Sequence, residues 1–145
     1  MKVRSLFAEL LGTALLVFFA VGTATLSFGF KITGGSTSAG VIATALAFGL
    51  VLLALVYAIG PISGCHVNPA VTIGFLVARR ISLTDAVGYW VAQCAGAIGG
   101  AAALFGIFHE TPHYSKATIG LGTDGYGANS MVGLNGTGSF IVESF

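Results

Sequence analysis

Charge is what this sequence has least of. Lysine, arginine, aspartate and glutamate make up 8% of its 145 residues, against about 25% in soluble domains. Between Lys31 and Arg79 there are none at all. A chain this poor in charge and 55% hydrophobic has too little polar surface to stay dissolved, which excludes a soluble domain and points to an integral membrane protein. The formal net charge of +1 and the want of any basic patch with interleaved aromatics exclude a nucleic-acid partner. No pattern pairs a serine, threonine or cysteine with a base, so no catalytic residue and no enzyme is expected. His109 and His113 have a spacing that holds metals on helices, but Pro112 stands between them, so neither metal nor other cofactor is expected. Gly133 to Gly138 is not a phosphate loop, since no Gly-Lys-Ser/Thr follows. The two cysteines, Cys65 and Cys94, lie in apolar segments and read as buried small hydrophobes.

What fills the chain is apolar sequence in membrane-length pieces. Leu10–Phe30 is uncharged and longer than a signal-peptide core of about 7–15 residues, so it reads as a first span over roughly 5–28. A polar patch, Lys31–Ser38, precedes a second span over about 40–59. Gly60-Pro61 and then Ser63-Gly64 predict a helix break there. Asn68-Pro69 next supplies an N-cap and a proline for the first helical position. The helix it opens, Pro69–Ala78, is about 15 Å long, half of a bilayer core of about 30 Å. Irregular backbone at membrane depth must be buried in protein or line a water-filled path. Residues 61–78 are therefore read as a re-entrant loop and half-helix, with Asn68 near the midplane. A third span runs over about 84–108, with Gly88, Ala92, Gly96 and Gly100 forming a stripe that admits close helix packing. His109–Gly138 is a polar connection, and Ser139–Phe145 begins another apolar segment. Asn135-Gly136-Thr137 in that connection matches a glycosylation sequon.

Two acids sit inside apolar segments, where charge is costly and usually has a purpose. They are Glu9, in Phe7-Ala8-Glu9-Leu10, and Glu143, in Phe140-Ile141-Val142-Glu143. An aromatic shortly before a glutamate in both hints at an internal repeat. Lys2, Arg4, Arg79 and Arg80 fall on one side of the proposed topology, and Lys31 and Lys116 on the other. The positive-inside tendency then places the N-terminus in the cytoplasm and 109–138 outside.

Ser63-Gly64-Cys65-His66-Val67-Asn68-Pro69-Ala70-Val71-Thr72 resembles the first signature loop of the aquaporin (major intrinsic protein) family. The resemblance extends to Ala8-Glu9 with Gly12-Thr13, to Ala47-Phe48-Gly49, to Gly88-Tyr89 with Ala92-Gln93, and to Phe140 with Glu143. Cys65 departs from it, since many members carry a small residue there. The resemblance implies an all-α membrane protein with an aquaporin-like inverted-repeat fold. Residues 1–138 would be the first repeat, three spans plus the re-entrant half-helix, and 139–145 the start of a truncated fourth span.

It also implies roles. Asn68, Pro69 and Ala70 would form the pore motif, and the carbonyls of Gly64, Cys65, His66 and Val67 a ladder of acceptors. Phe48 would form one wall of the outer filter, its phenyl ring favouring a water-type filter. Glu9 and Glu143 would be buried structural acids, Glu9 hydrogen-bonding the carbonyl-lined loop. The expected protein is a multi-pass plasma-membrane water channel in a lipid bilayer, a homotetramer with one pore per subunit. A glycerol or ammonia facilitator of the same fold, and a non-conducting assembly module, are the alternatives. A pore between inverted repeats needs a second midplane asparagine, and neither Asn129 nor Asn135 precedes proline. The chain alone is therefore expected to be a fragment that does not conduct.

Overall fold

The computed structural model describes residues 2–115, 119–122, 127, 130 and 133–144. Lys116 and Asn129 lie outside the described residues, as does the side chain of Glu143. The described residues form helices and no strand. Three helices, α1 (Val3–Gly29), α2 (Thr37–Ser63) and α4 (Leu83–His109), are 27 residues each and apolar enough to cross a membrane. Between the last two lies α3 (Pro69–Val77), and α5 (Gly136–Ser144) closes the chain.

Burial follows the membrane pattern. The largest fully buried side chains are polar, Gln93, Glu9, Thr25 and Thr72, while Val91 and Ile98 on α4 stand 67% and 70% exposed. In water that arrangement would leave wide apolar patches. Against lipid it leaves the polar groups to satisfy one another inside.

Helix α1 packs along α4 and against α2. The α4 stripe faces α1: a Cβ on Gly96 would collide with the carbonyl oxygen of Leu10, and one on Gly100 with that of Ala14. Glycine at these two positions sets how closely the backbones approach, and that approach brings Gln93 within reach of Glu9. The C-terminal half of α1 contains two π-helical stretches, Val17–Val21 and Thr25–Gly29, for which the sequence carries no local signal.

The second span differs from its expectation. Gly60-Pro61 does not end it; α2 runs through Pro61 to Ser63 and stops at Gly64, whose φ of 90° is left-handed. Pro61 withholds the donor that Tyr57 O would take, and the helix continues for only two residues beyond it, where the last carbonyls lack intrahelical partners. Other elements supply those partners. Ser5 Oγ donates to Ile62 O at 2.9 Å and the Tyr89 hydroxyl to Ser63 O at 2.7 Å. The non-helical segment therefore begins at Gly64, the last residue of the predicted break and not its first, and the helix ends four residues beyond the expected end of the span at about 59.

Helix α3 starts as the sequence predicts. Asn68 is its N-cap, accepting from Ala70 N at 2.8 Å, with Pro69 in the first turn. It ends in a Schellman motif, Arg80 N to Phe75 O and Arg79 N to Leu76 O, with Arg79 at a φ of 56° where glycine is usual. Ser82 caps α4 by accepting from Asp85 N at 3.1 Å. The last helix begins at Gly136, earlier than the expected 139, because Asn135 Oδ1 caps it by accepting from Gly138 N at 2.8 Å.

Candidate functional site

Gly64 to Val67 is the segment that joins α2 to α3, and its backbone is unusual. Gly64, Cys65 and Val67 have φ values of 90°, 52° and 41°. A left-handed conformation costs a non-glycine residue about 1–2 kcal/mol, and for a β-branched valine it is a clear outlier. Something must hold it.

Each of the four backbone N–H groups is bound. Gly64 N donates to Gly60 O at 2.9 Å and Cys65 N to Ser63 Oγ at 3.1 Å. His66 N donates to Glu9 Oε1 at 2.9 Å and Val67 N to Glu9 Oε2 at 2.7 Å. The four carbonyls are the reverse: among the described residues nothing donates to the oxygens of Gly64, Cys65, His66 or Val67. The segment is a strip with its donors spent and its acceptors free.

Glu9 is the anchor. It is fully buried, and two further donors reach it, Ser63 Oγ on Oε1 at 2.7 Å and Gln93 Nε2 on Oε2 at 2.8 Å. Four donors on two oxygens is the pattern of an acceptor-only group. They come from the end of α2, the strip and α4, so one side chain of α1 ties the other elements together.

The His66 ring is stacked on Phe75, centroids 4.2 Å apart, and forms a T-shaped pair with Tyr89 at 5.1 Å. Its Nδ1 lies 3.1 Å from Thr72 Oγ1. That hydroxyl also accepts from Gln93 Nε2 at 3.0 Å and lies 3.2 Å from Asn68 O. Cys65 and Val67 pack with Leu55, and Leu15, Leu16, Val51 and Ile59 flank them. The strip is thus backed by apolar contacts and one polar network.

Asn68 is exposed where the strip meets α3. Its Oδ1 is committed to Ala70 N, and its amide nitrogen has no partner among the described residues. Pro69 and Ala70 are exposed beside it, and Pro69 O accepts from Trp90 Nε1 at 3.2 Å. Phe48 stands apart. It lies on α2 about 22 Å of helical rise from Ser63 and is 43% exposed. Both cysteines are free thiols, but only Cys65 is buried; Cys94 is exposed on α4, contrary to the expectation of two buried residues. On a membrane span its small apolar side chain meets lipid at no penalty. No group of three His, Cys, Asp or Glu among the described residues could hold a metal.

The residues not singled out as site residues from sequence are the partners: Ser5, Ser63, Thr72, Tyr89 and Gln93. A signal for them exists. Ser5, Glu9 and Thr13 recur at helical spacing on one face of α1, as Tyr89 and Gln93 do on α4, and polar groups in apolar spans seek one another.

A family model described as Major intrinsic protein matches residues 1–144. The chain is 41% identical over 140 residues to Aquaporin Z of Brucella melitensis, covering 97% of this chain and 59% of that protein. It is 38% identical over 143 residues to Aquaporin Z of Rhodopseudomonas palustris, covering 99% and 58%. With Aquaporin PIP2-7 of Arabidopsis thaliana the identity is 40% over 141 residues, covering 96% and 49%. The chain thus spans about half to three fifths of the length of these curated relatives.

Proposed function

The chain belongs to the major intrinsic protein family, and from that premise we propose that it forms one half of a passive transmembrane water channel. Membership and the three apolar helices make it a multi-pass integral membrane protein of a channel family. The observation that carries the finer reading is the strip: four successive carbonyls to which no described residue donates, next to an asparagine whose oxygen is spent and whose amide nitrogen has no partner among the described residues.

A water molecule entering a narrow apolar pore gives up its hydrogen bonds to bulk water. The carbonyls of Gly64, Cys65, His66 and Val67 take its hydrogens in turn, while Asn68 Nδ2 donates to its oxygen. The N-terminal end of α3 carries partial positive charge, which raises the energy of cations and protons at that point. Passage of neutral water costs little because each lost bond has a replacement.

Pro69 and Ala70 shape the turn into the half-helix, Glu9 holds the strip, and Glu143 is the matching acid of α5. Phe48 forms one wall of the outer constriction. Residues 1–138 act as one repeat and 139 onward as the start of the next span. The N-terminus faces the cytoplasm of a plasma-membrane protein, on the side of Lys2, Arg4, Arg79 and Arg80. The pore is completed by a second half-helix from the opposite face, and four such channels assemble as a tetramer.

The test is osmotic shrinkage of proteoliposomes followed by stopped-flow light scattering. The chain alone should stay at lipid background. A fusion to the remaining C-terminal portion of Aquaporin Z from Brucella melitensis should raise water permeability well above it. Permeability from the chain alone would refute the half-channel reading. A folded fusion that stays at background, or that passes glycerol in preference to water, would refute the water channel.

A further inference from the structure

We infer that Thr72 is a positioning residue that holds His66 as the Nδ1–H tautomer, so that its Nε2 stands as a bare acceptor beside the carbonyl strip. The consequence for water deepens the half-channel reading and rests on it; the tautomer itself does not.

Thr72 is fully buried, and its Oγ1 has three polar neighbours: Gln93 Nε2 at 3.0 Å, His66 Nδ1 at 3.1 Å and Asn68 O at 3.2 Å. A hydroxyl has one hydrogen to give and two lone pairs. Gln93 must present its nitrogen here, because the same nitrogen serves Glu9 Oε2, an oxygen that already accepts from Val67 N. One lone pair of Thr72 is therefore taken. Asn68 O can only accept, so the hydroxyl hydrogen goes to it. The remaining lone pair faces His66 Nδ1, which must then carry a hydrogen.

The reverse assignment, with the hydroxyl hydrogen on Nδ1, would set Thr72 Oγ1 and Asn68 O against each other with no hydrogen between them. It would also leave a lone pair empty in a fully buried group, which is costly. Turning the ring over to exchange its two nitrogens is opposed by the stack on Phe75 and the T-shaped contact with Tyr89. Its Nε2 has no partner among the described residues and lies beside Gly64, where an added Cβ would come within 3.4 Å of it. Nε2 thus adds an acceptor at the start of the strip. The other tautomer would place a donor there and interrupt a run of acceptors.

The 145-residue chain, with His109→Gln and His113→Gln so that His66 is the one histidine left of three, is labelled with 15N-histidine and placed in lipid bilayers. Spectra are taken at about pH 8, where an ordinary imidazole is neutral. Nitrogen chemical shifts separate a protonated ring nitrogen from a bare one. The expected result is the Nδ1–H form in excess of about tenfold. Thr72→Ser should keep it, and Thr72→Val, which fills the same space without the hydroxyl, should lose that excess. An Nε2–H ring, a ring with both nitrogens protonated, or an even mixture in the Thr72 protein would overturn the inference. So would a Thr72→Val spectrum that matches it. If Thr72→Val does not fold, the Thr72 and Thr72→Ser spectra decide. No flux enters the measurement, so a failure here leaves the channel reading standing, and a failed flux assay leaves the tautomer standing.

Discussion

Replacing Glu9 with glutamine changes one oxygen into an NH2 group at nearly constant shape, and the structure says where the damage falls. Oε1 serves Ser63 Oγ and His66 N, and Oε2 serves Val67 N and Gln93 Nε2. Whichever way the new amide turns, its NH2 faces two donors. The better orientation keeps oxygen toward Ser63 and His66, since Gln93 can turn its own amide to accept on the other side, with the Thr72 hydroxyl then donating to it in place of Asn68 O. The Val67 N–H is then left buried and unbound, a loss of about 1–3 kcal/mol, and the lost bond was to an acidic side chain, at the upper end of that range. Relaxation of Val67 out of its left-handed conformation returns about 1 kcal/mol. A net cost of about 2 kcal/mol corresponds to local opening about 30-fold more frequent. Hydrogen exchange of the chain in nanodiscs reads this directly. The Val67 amide should accelerate by that factor, and the His66 amide by less. If a folded Glu9→Gln protein exchanged at Val67 within about threefold of the unaltered rate, the strip would not be held by Glu9 and the account of its conformation would fail.

Three further predictions bear on packing and conduction. Gly96→Ala should destabilise the α1–α4 crossing by about 1–3 kcal/mol, because its Cβ meets the Leu10 carbonyl. Gly99→Ala, with open space around it, should be neutral or stabilising by up to about 1 kcal/mol; denaturant unfolding in detergent compares the two. In the fusion channel, Asn68→Asp should lower water permeability while leaving the protein folded, since aspartate caps a helix as well as asparagine does but offers no amide donor; unchanged flux in stopped-flow would count against the role of Asn68. Arg79→Gly should stabilise the chain by about 0.5–1 kcal/mol by removing a side chain from a left-handed C-cap, with Arg79→Ala as the control that shows no gain in thermal unfolding.

Much of the architecture was legible in the residues because membrane burial is a demand on composition. The uncharged stretch between Lys31 and Arg79, the lengths of the apolar runs and the Asn68-Pro69 start of a helix too short to cross are local facts, and local propensity and hydropathy read them. The stripe on α4 was legible for the same reason, since small residues at helical spacing need no partner to be recognised. Tertiary contact decided the rest. Pro61 should break a helix by its own chemistry, yet α2 continues because Ser5 and Tyr89, distant in sequence, cap its last carbonyls. The left-handed turn at Val67 is unfavourable by itself and exists because Glu9 rewards it with a hydrogen bond. That Thr72, His66, Gln93 and Glu9 form one network follows from how closely Gly96 and Gly100 let two backbones approach. A hydrogen bond depends on tenths of an ångström between elements far apart in the chain, and no pattern along the sequence carries that distance.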